Sequence, residues 1–136
     1  MLLFTQNASS QNSNHISDSF FLQADSLVEL EQYKKAISNL DSAIKYDSEN
    51  VEYYALKGYC QLHDGNYISA IESFDLALIL QDAYAEVYYL RGLAKLELGQ
   101  EKKACDDFVE AYLLGMKEAF DFIEKICDLE DLKFID

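Results

Sequence analysis

The chain has 136 residues, 25 Asp+Glu against 11 Lys+Arg for a formal net charge of −14, five glycines, and no proline or tryptophan. That length allows about one domain, and an apolar content of 50% argues against intrinsic disorder despite the acidity. The excess of acid excludes nucleic acid as a partner, because phosphates would be repelled over most of the surface, and it leaves basic or apolar partners open.

Residues 1–16, MLLFTQNASSQNSNHI, carry no formal charge and show no periodicity. They read as a disordered lead-in. As written they are not a signal peptide, since a positive n-region is missing and the first basic residue is Lys34. Leu2-Leu3-Phe4 followed by Ala8-Ser9-Ser10 nevertheless looks like the end of an apolar h-region before a small-residue cleavage site. Two localisations therefore stand: a cytoplasmic chain with a disordered tail, or an exported one whose true start lies upstream of Met1. No apolar run approaches the roughly 20 residues that span a bilayer, so no membrane span is expected.

From Ser17 a 34-residue register governs the chain. With Ser17, Val51 and Ala85 as first positions, small residues recur at position eight (Ala24, Gly58, Gly92), twenty (Ala36, Ala70, Ala104) and twenty-seven (Ala43, Ala77, Ala111). Large residues keep the same register at position four (Phe20, Tyr54, Tyr88), twenty-four (Leu40, Phe74, Phe108) and thirty (Tyr46, Leu80, Leu114). Within each repeat the apolar residues recur at helical spacing in two stretches: 17–30 and 33–46, 51–64 and 67–80, 85–98 and 101–113. Each repeat is thus a helical hairpin, with small residues admitting a close approach and the large residue at twenty-four filling the space beside them. Gly65 and Gly99 stand at the turn between helices, suited to the left-handed conformation that ends a helix. The first repeat has Glu31 there, and its turn is expected to be less well formed.

These residues carry a family resemblance. Val51 to Gly58, Gly65-Asn66-Tyr67, Ala70-Ile71, Phe74 and Ala77-Leu78 resemble a tetratricopeptide repeat, and Tyr88-Tyr89-Leu90-Arg91-Gly92-Leu93-Ala94 is similar to a common bacterial version of its first helix. The likeness covers three repeats, 17–50, 51–84 and 85–118. It departs from the family's pattern where Ser48, Asp82 and Met116 replace a usual proline. It implies an all-α fold, a right-handed superhelical solenoid of antiparallel hairpins. Residues 119–136 follow as a C-terminal capping helix, with Ala119, Phe122, Ile123, Ile126 and Cys127 on one stripe and charges opposite. Leu129 to Asp136 either extend that helix or fold back through Leu132, Phe134 and Ile135.

The resemblance also implies a concave, partner-binding groove lined by the first helix of each hairpin. Carried over residue by residue, it assigns Asp18, Phe21, Asp25, Val28 and Glu29, then Glu52, Ala55, Tyr59, Leu62 and His63, then Glu86, Tyr89, Leu93, Leu96 and Glu97. Acids and aromatics dominate, which suits a protein or peptide segment offering basic and apolar side chains. Some members of the family grip a C-terminal carboxylate with Lys, Arg and Asn. The matching positions here are Phe21, Asp25, Leu56, Glu86 and Leu90, none of which fits, so that chaperone-binding role is rejected.

Catalysis finds little footing. Cys60 and His63 are three apart on one helix, but zinc needs three or four ligands and the remaining cysteines fall on other repeats. No nucleophile elbow, phosphate loop or metalloprotease motif occurs. Asp106-Asp107 reads as a solvated acid pair. Cys60, Cys105 and Cys127 are too few for a disulfide framework, and Cys60 and Cys105 read as small core residues in a reduced or cysteine-indifferent chain. The expectation is a non-catalytic protein-interaction scaffold without cofactor or metal. Self-association, or a supporting part in assembling an envelope complex, is the alternative.

Overall fold

The computed structural model describes residues 2–128 together with 130 and 132, residues 2–10 by their backbone alone. Seven α-helices follow in order: α1 (Leu2–Glu29), α2 (Tyr33–Tyr46), α3 (Val51–His63), α4 (Tyr67–Leu80), α5 (Ala85–Glu97), α6 (Glu101–Leu113) and, after a 3-10 turn at Lys117–Ala119, α7 (Phe120–Ile126). No strand occurs among the described residues. Each helix packs chiefly on its neighbours in the chain, α1 on α2, α3 on α4 and α5 on α6, with α2 on α3 and α4 on α5 joining the pairs. This is an all-α solenoid of helical hairpins.

The core consists of the repeated small and large residues. Ala24, Ala36, Ala43, Ala70, Ala77, Ala104 and Ala111 are fully buried, as are Leu40, Phe74 and Phe108. A Cβ placed on Gly58 would stand 2.5 Å from Cε1 of Phe74, and one on Gly92 would stand 2.9 Å from Cε1 of Phe108. Real Cβ atoms do not approach that closely, so the ring packs directly against bare backbone. Repeat one solves the same packing problem differently: Ala24 and Leu40 share a cluster, a slightly larger residue beside a smaller one.

Helix ends follow one scheme. After α3, the Gly65 N–H donates to Leu62 O (3.1 Å) and the Asn66 N–H to Gln61 O (2.8 Å), with Gly65 at φ 82°. Gly99 after α5 and Gly115 after α6 make the same pair of bonds, the Schellman closure. Glu31 was expected to weaken the first of these turns, but its N–H donates to Val28 O (2.9 Å) and that of Gln32 to Leu27 O (2.8 Å). The closure is complete. What differs is the backbone, since Glu31 takes φ 56° with a Cβ attached, a conformation that costs an L-residue about 1 kcal/mol.

A polar lattice repeats with the same period. Asp41 on α2 pairs with Lys57 on α3 at 2.7 Å, and 34 residues later Asp75 on α4 pairs with Arg91 on α5 at 2.7 Å. Ser73 donates to Gln61 at 2.6 Å, and the equivalent positions in repeat three hold Asp107 and Lys95 at 2.8 Å. Asp107 also accepts two bonds from Arg91, from Nε at 2.9 Å and Nη2 at 2.7 Å. It is therefore buried, whereas Asp106 faces solvent, which corrects the reading of both as a solvated pair. Burial lowers the Arg91 pKa, but the bonds and charges of Asp107 and then Asp75 outweigh it and raise the pKa overall.

Three further expectations are corrected. The lead-in at 2–16 is continuous with α1 rather than disordered. No glycine or proline interrupts it, and α1 is anchored just beyond, where the Tyr53 hydroxyl donates to Ser17 Oγ (3.2 Å) and Asp18 Oδ1 (3.0 Å). The cap is shorter than 119–136: α7 ends at Ile126, and Cys127 turns extended (φ −88°, ψ 137°). Cys127 forms a disulfide with Cys105 of α6, Cα atoms 5.4 Å apart, so Cys105 is not simply a small core residue. Leu132 packs back on the third cluster, while Phe134 and Ile135 lie outside the described residues.

The contact between ring and glycine makes a direct prediction. Gly58→Ala should lower unfolding free energy by roughly 1–3 kcal/mol in urea denaturation. Adding Phe74→Leu should recover most of that loss by installing the pairing repeat one already uses. A double variant no more stable than Gly58→Ala alone would show that this contact does not set the helix approach.

Candidate functional site

Stacking the hairpins leaves a cavity of about 300 Å³ on the face lined by the first helices. Its floor is apolar: Phe21 and Val28 from α1, Ala55 and Leu56 from α3, Val87 and Leu90 from α5. Asp25, Glu52 and Glu86, one exposed acid from each first helix, stand around it with Tyr59 and Tyr84. The register explains the convergence, since Glu52 and Glu86 are one repeat apart, as are Leu56 and Leu90.

Tyr84 fixes one wall. It caps the start of α5 and reaches back across one repeat, its hydroxyl lying 3.1 Å from each carboxylate oxygen of Glu52. Burial, then the charge and hydrogen bond of Glu52, and then Glu86 push its phenol up to about 12. It stays a protonated donor that holds Glu52 in place. Nothing in the repeat spacing pointed to Tyr84, because the corresponding residue of repeat one is Asn50, whose side chain accepts from the Glu52 N–H instead.

Of the fifteen residues the resemblance assigned to the groove, the cavity brings together Phe21, Asp25, Val28, Glu52, Ala55, Tyr59 and Glu86. His63 joins Tyr59 in a separate ring cluster, with centroids 4.3 Å apart, and stacks on Tyr33 at 5.3 Å. Leu62 packs against the second core cluster, and Tyr89, Leu93 and Leu96 against the third. There the Tyr89 ring meets Phe108 (5.7 Å) and Phe122 of α7 (5.8 Å) edge-on. Glu29 and Glu97 are exposed at the ends of α1 and α5, outside the cavity. Leu56, Tyr84, Val87 and Leu90 complete the lining; apolar residues at the repeated sixth position were the available signal for Leu56 and Leu90.

Cys60 and His63 do not converge. The thiol is fully buried in the first cluster, where burial pushes it up to about 12, and the imidazole is exposed. Among the described residues no group of three or more His, Cys, Asp or Glu could hold a metal ion, and no helix is long and apolar enough to cross a membrane.

The repeated hairpins and the groove across their first helices define a helical repeat solenoid. Sequence profiles described as tetratricopeptide repeat match residues 21–86 and 85–114, and the chain belongs to the tetratricopeptide repeat family. Solved structures with this fold include the Arabidopsis OM64 TPR domain, 23% identical with a TM-score of 0.82 over 85% of this chain and 97% of that one. The first TPR of Spaghetti (RPAP3), bound to HSP90 peptide SRMEEVD, is 19% identical with a TM-score of 0.80 over 83% and 91%. The Yersinia enterocolitica type III secretion chaperone SycD, in complex with a peptide of the translocator YopD, is 15% identical with a TM-score of 0.77 over 80% and 90%. No curated protein sequence gives a significant match.

The buried acids predict an alkaline limit to stability. The Cys60 thiol and Tyr84 phenol keep their protons in the fold to about 12 but release them near 9.0 and 10.0 when unfolded. Unfolding above pH 9 therefore releases protons, and stability falls as pH climbs from 9 towards 12 while remaining insensitive to these groups below about 8. Melting temperature followed across this range should drop, and Cys60→Ala with Tyr84→Phe should flatten the slope. An unchanged slope would assign the alkaline loss to other groups.

Proposed function

We propose that this chain is a non-catalytic protein-interaction scaffold whose groove takes a segment carrying basic and apolar side chains. The observation that carries the reading is the ring of Asp25, Glu52 and Glu86 around an apolar floor. Carboxylates at the rim would steer and orient a cation, and the floor would bury the stem or neighbouring aliphatics. Structural relatives that hold peptides support the scaffold role. The positions at which some relatives hold a carboxylate, Phe21, Asp25, Leu56, Glu86 and Leu90, all line this cavity and offer no cation. An acidic tail such as SRMEEVD would meet like charge.

Fluorescence anisotropy with two labelled peptides, one of Leu and Arg and one of Leu and Glu, tests this reading. The Arg peptide should bind, and Asp25→Lys with Glu86→Lys should weaken it by about tenfold or more at low salt. Equal binding by wild type and variant, with folding intact, would overturn the groove assignment.

A second reading concerns location. The disulfide between Cys105 and Cys127 favours an exported chain over a cytoplasmic one, since such bonds persist in oxidising compartments. Alkylating the chain in its native host before and after reduction should label Cys105 and Cys127 only after reduction. Free labelling without reductant would favour the cytoplasm.

A further inference from the structure

The stack ends in a different way from that in which its repeats join. At the twenty-first position repeats one and two carry Ile37 and Ile71, which pack in the first and second clusters. Repeat three has Cys105 there, fully buried on α6 and bonded to Cys127, 22 positions further on. A covalent bond thus stands where the other repeats use an aliphatic contact.

What the bond holds is small. The helix α7 is seven residues long, short of the roughly 12–15 at which a helix begins to hold by itself. Ile123 is its one fully buried side chain, joined by Ala119 of the preceding turn, while Phe122 and Ile126 are half-buried. The chain turns extended at Cys127 as soon as the helix ends, so the bond sits at the point from which the cap would peel. The two sulfurs also differ in access. Cys105 is fully buried, but Cys127 is half-buried, and its neighbours Ile126 and Asp128 border an open cavity of about 490 Å³ shared with Gly99 to Lys103 at the start of α6. The remaining cysteine, Cys60, is free and fully buried in the first cluster, away from this exchange.

We propose that the bond between Cys105 and Cys127 is a reducible latch on the C-terminal cap. A dithiol opens it by exchange: one thiolate attacks Cys127 Sγ, and Cys105 leaves as a thiolate and takes a proton. The second thiol then displaces Cys127 from the mixed disulfide, so the dithiol is oxidised to a disulfide as the protein's bond becomes two thiols. With the latch closed α7 stays docked. With it open α7 leaves α6 more often and uncovers the rings of Tyr89 and Phe108, which Phe122 otherwise meets. The groove cavity, lined from α1, α3 and the start of α5, is untouched by this motion, and the latch does not depend on what that groove binds.

Hydrogen exchange followed by mass spectrometry on the full chain, before and after dithiothreitol, tests the latch, with a parallel thiol titration to show that two thiols have been freed. Amides of α7 are expected to exchange about tenfold faster or more once the loop is open, while those of α2 to α5 keep their rates. Cys105→Ser with Cys127→Ser should match the reduced chain and show no response to dithiothreitol. Unchanged α7 exchange in the fully reduced chain overturns the proposal. Faster exchange throughout the chain also overturns it, because the bond would then support the whole fold, as does a bond that dithiothreitol reaches only after denaturant has unfolded the protein.

Discussion

The aromatic rings of Phe74 and Phe108 lie against backbone that has no side chain, and this contact sets the spacing on which the rest depends. The contact holds the two helices of a hairpin close together, and stacking the hairpins carries the first-helix residues Asp25, Glu52, Glu86, Leu56 and Leu90 onto one face around one cavity. Hydrophobic burial supplies the driving force, while the size difference between glycine and phenylalanine supplies the geometry. The cavity follows from stacking, and Tyr84 of the connection between α4 and α5 closes one wall.

Polar groups act at a second level, between repeats. Asp41 with Lys57 and Asp75 with Arg91 are the same interaction displaced by one repeat. Exposed pairs of this kind contribute little singly. Asp107 is different, because it is buried beneath Arg91 and Lys95 with both oxygens engaged. Removing its carboxylate would leave Lys95 without its partner and Arg91 with Asp75 alone, so the network ties α5 to α6 within repeat three and, through Arg91 and Asp75, repeat three to repeat two. Arg91 and Lys95 are engaged by this network and do not line the cavity, and among the described residues no ion pair involves Asp25, Glu52 or Glu86.

Much of this was legible from sequence because a repeat is read several times over. The register, the hairpins and the small residues at positions eight, twenty and twenty-seven are each stated three times in the chain, and chance cannot imitate them together. What was illegible occurs once. Tyr84 reaches Glu52 through space across one repeat, and no periodic pattern encodes that. The bond between Cys105 and Cys127 depends on how α7 folds back onto α6. Glu31 shows the same limit from the other side: composition suggested a weak turn, yet the hydrogen bonds available at a helix end are strong enough to hold a glutamate in a left-handed conformation. The lead-in was judged by its lack of apolar periodicity, whereas α1 continues through it because nothing in residues 2–16 breaks a helix.

The cap explains why the groove is shorter than the resemblance implied. A stack of hairpins ends with an apolar face that the next repeat would have covered. In this chain Phe122 stacks on Phe108 at 4.6 Å and meets Tyr89 edge-on, and the disulfide ties the end of α7 to α6. Tyr89, Leu93 and Leu96 then serve the end of the solenoid and lie outside the cavity, whose lining comes from α1, α3 and the start of α5. At the opposite end Leu22, one repeat before Leu56 and Leu90, is 65% exposed. The two ends of the stack are therefore physically unlike, and polarity along the solenoid arises from one short helix held by one covalent bond.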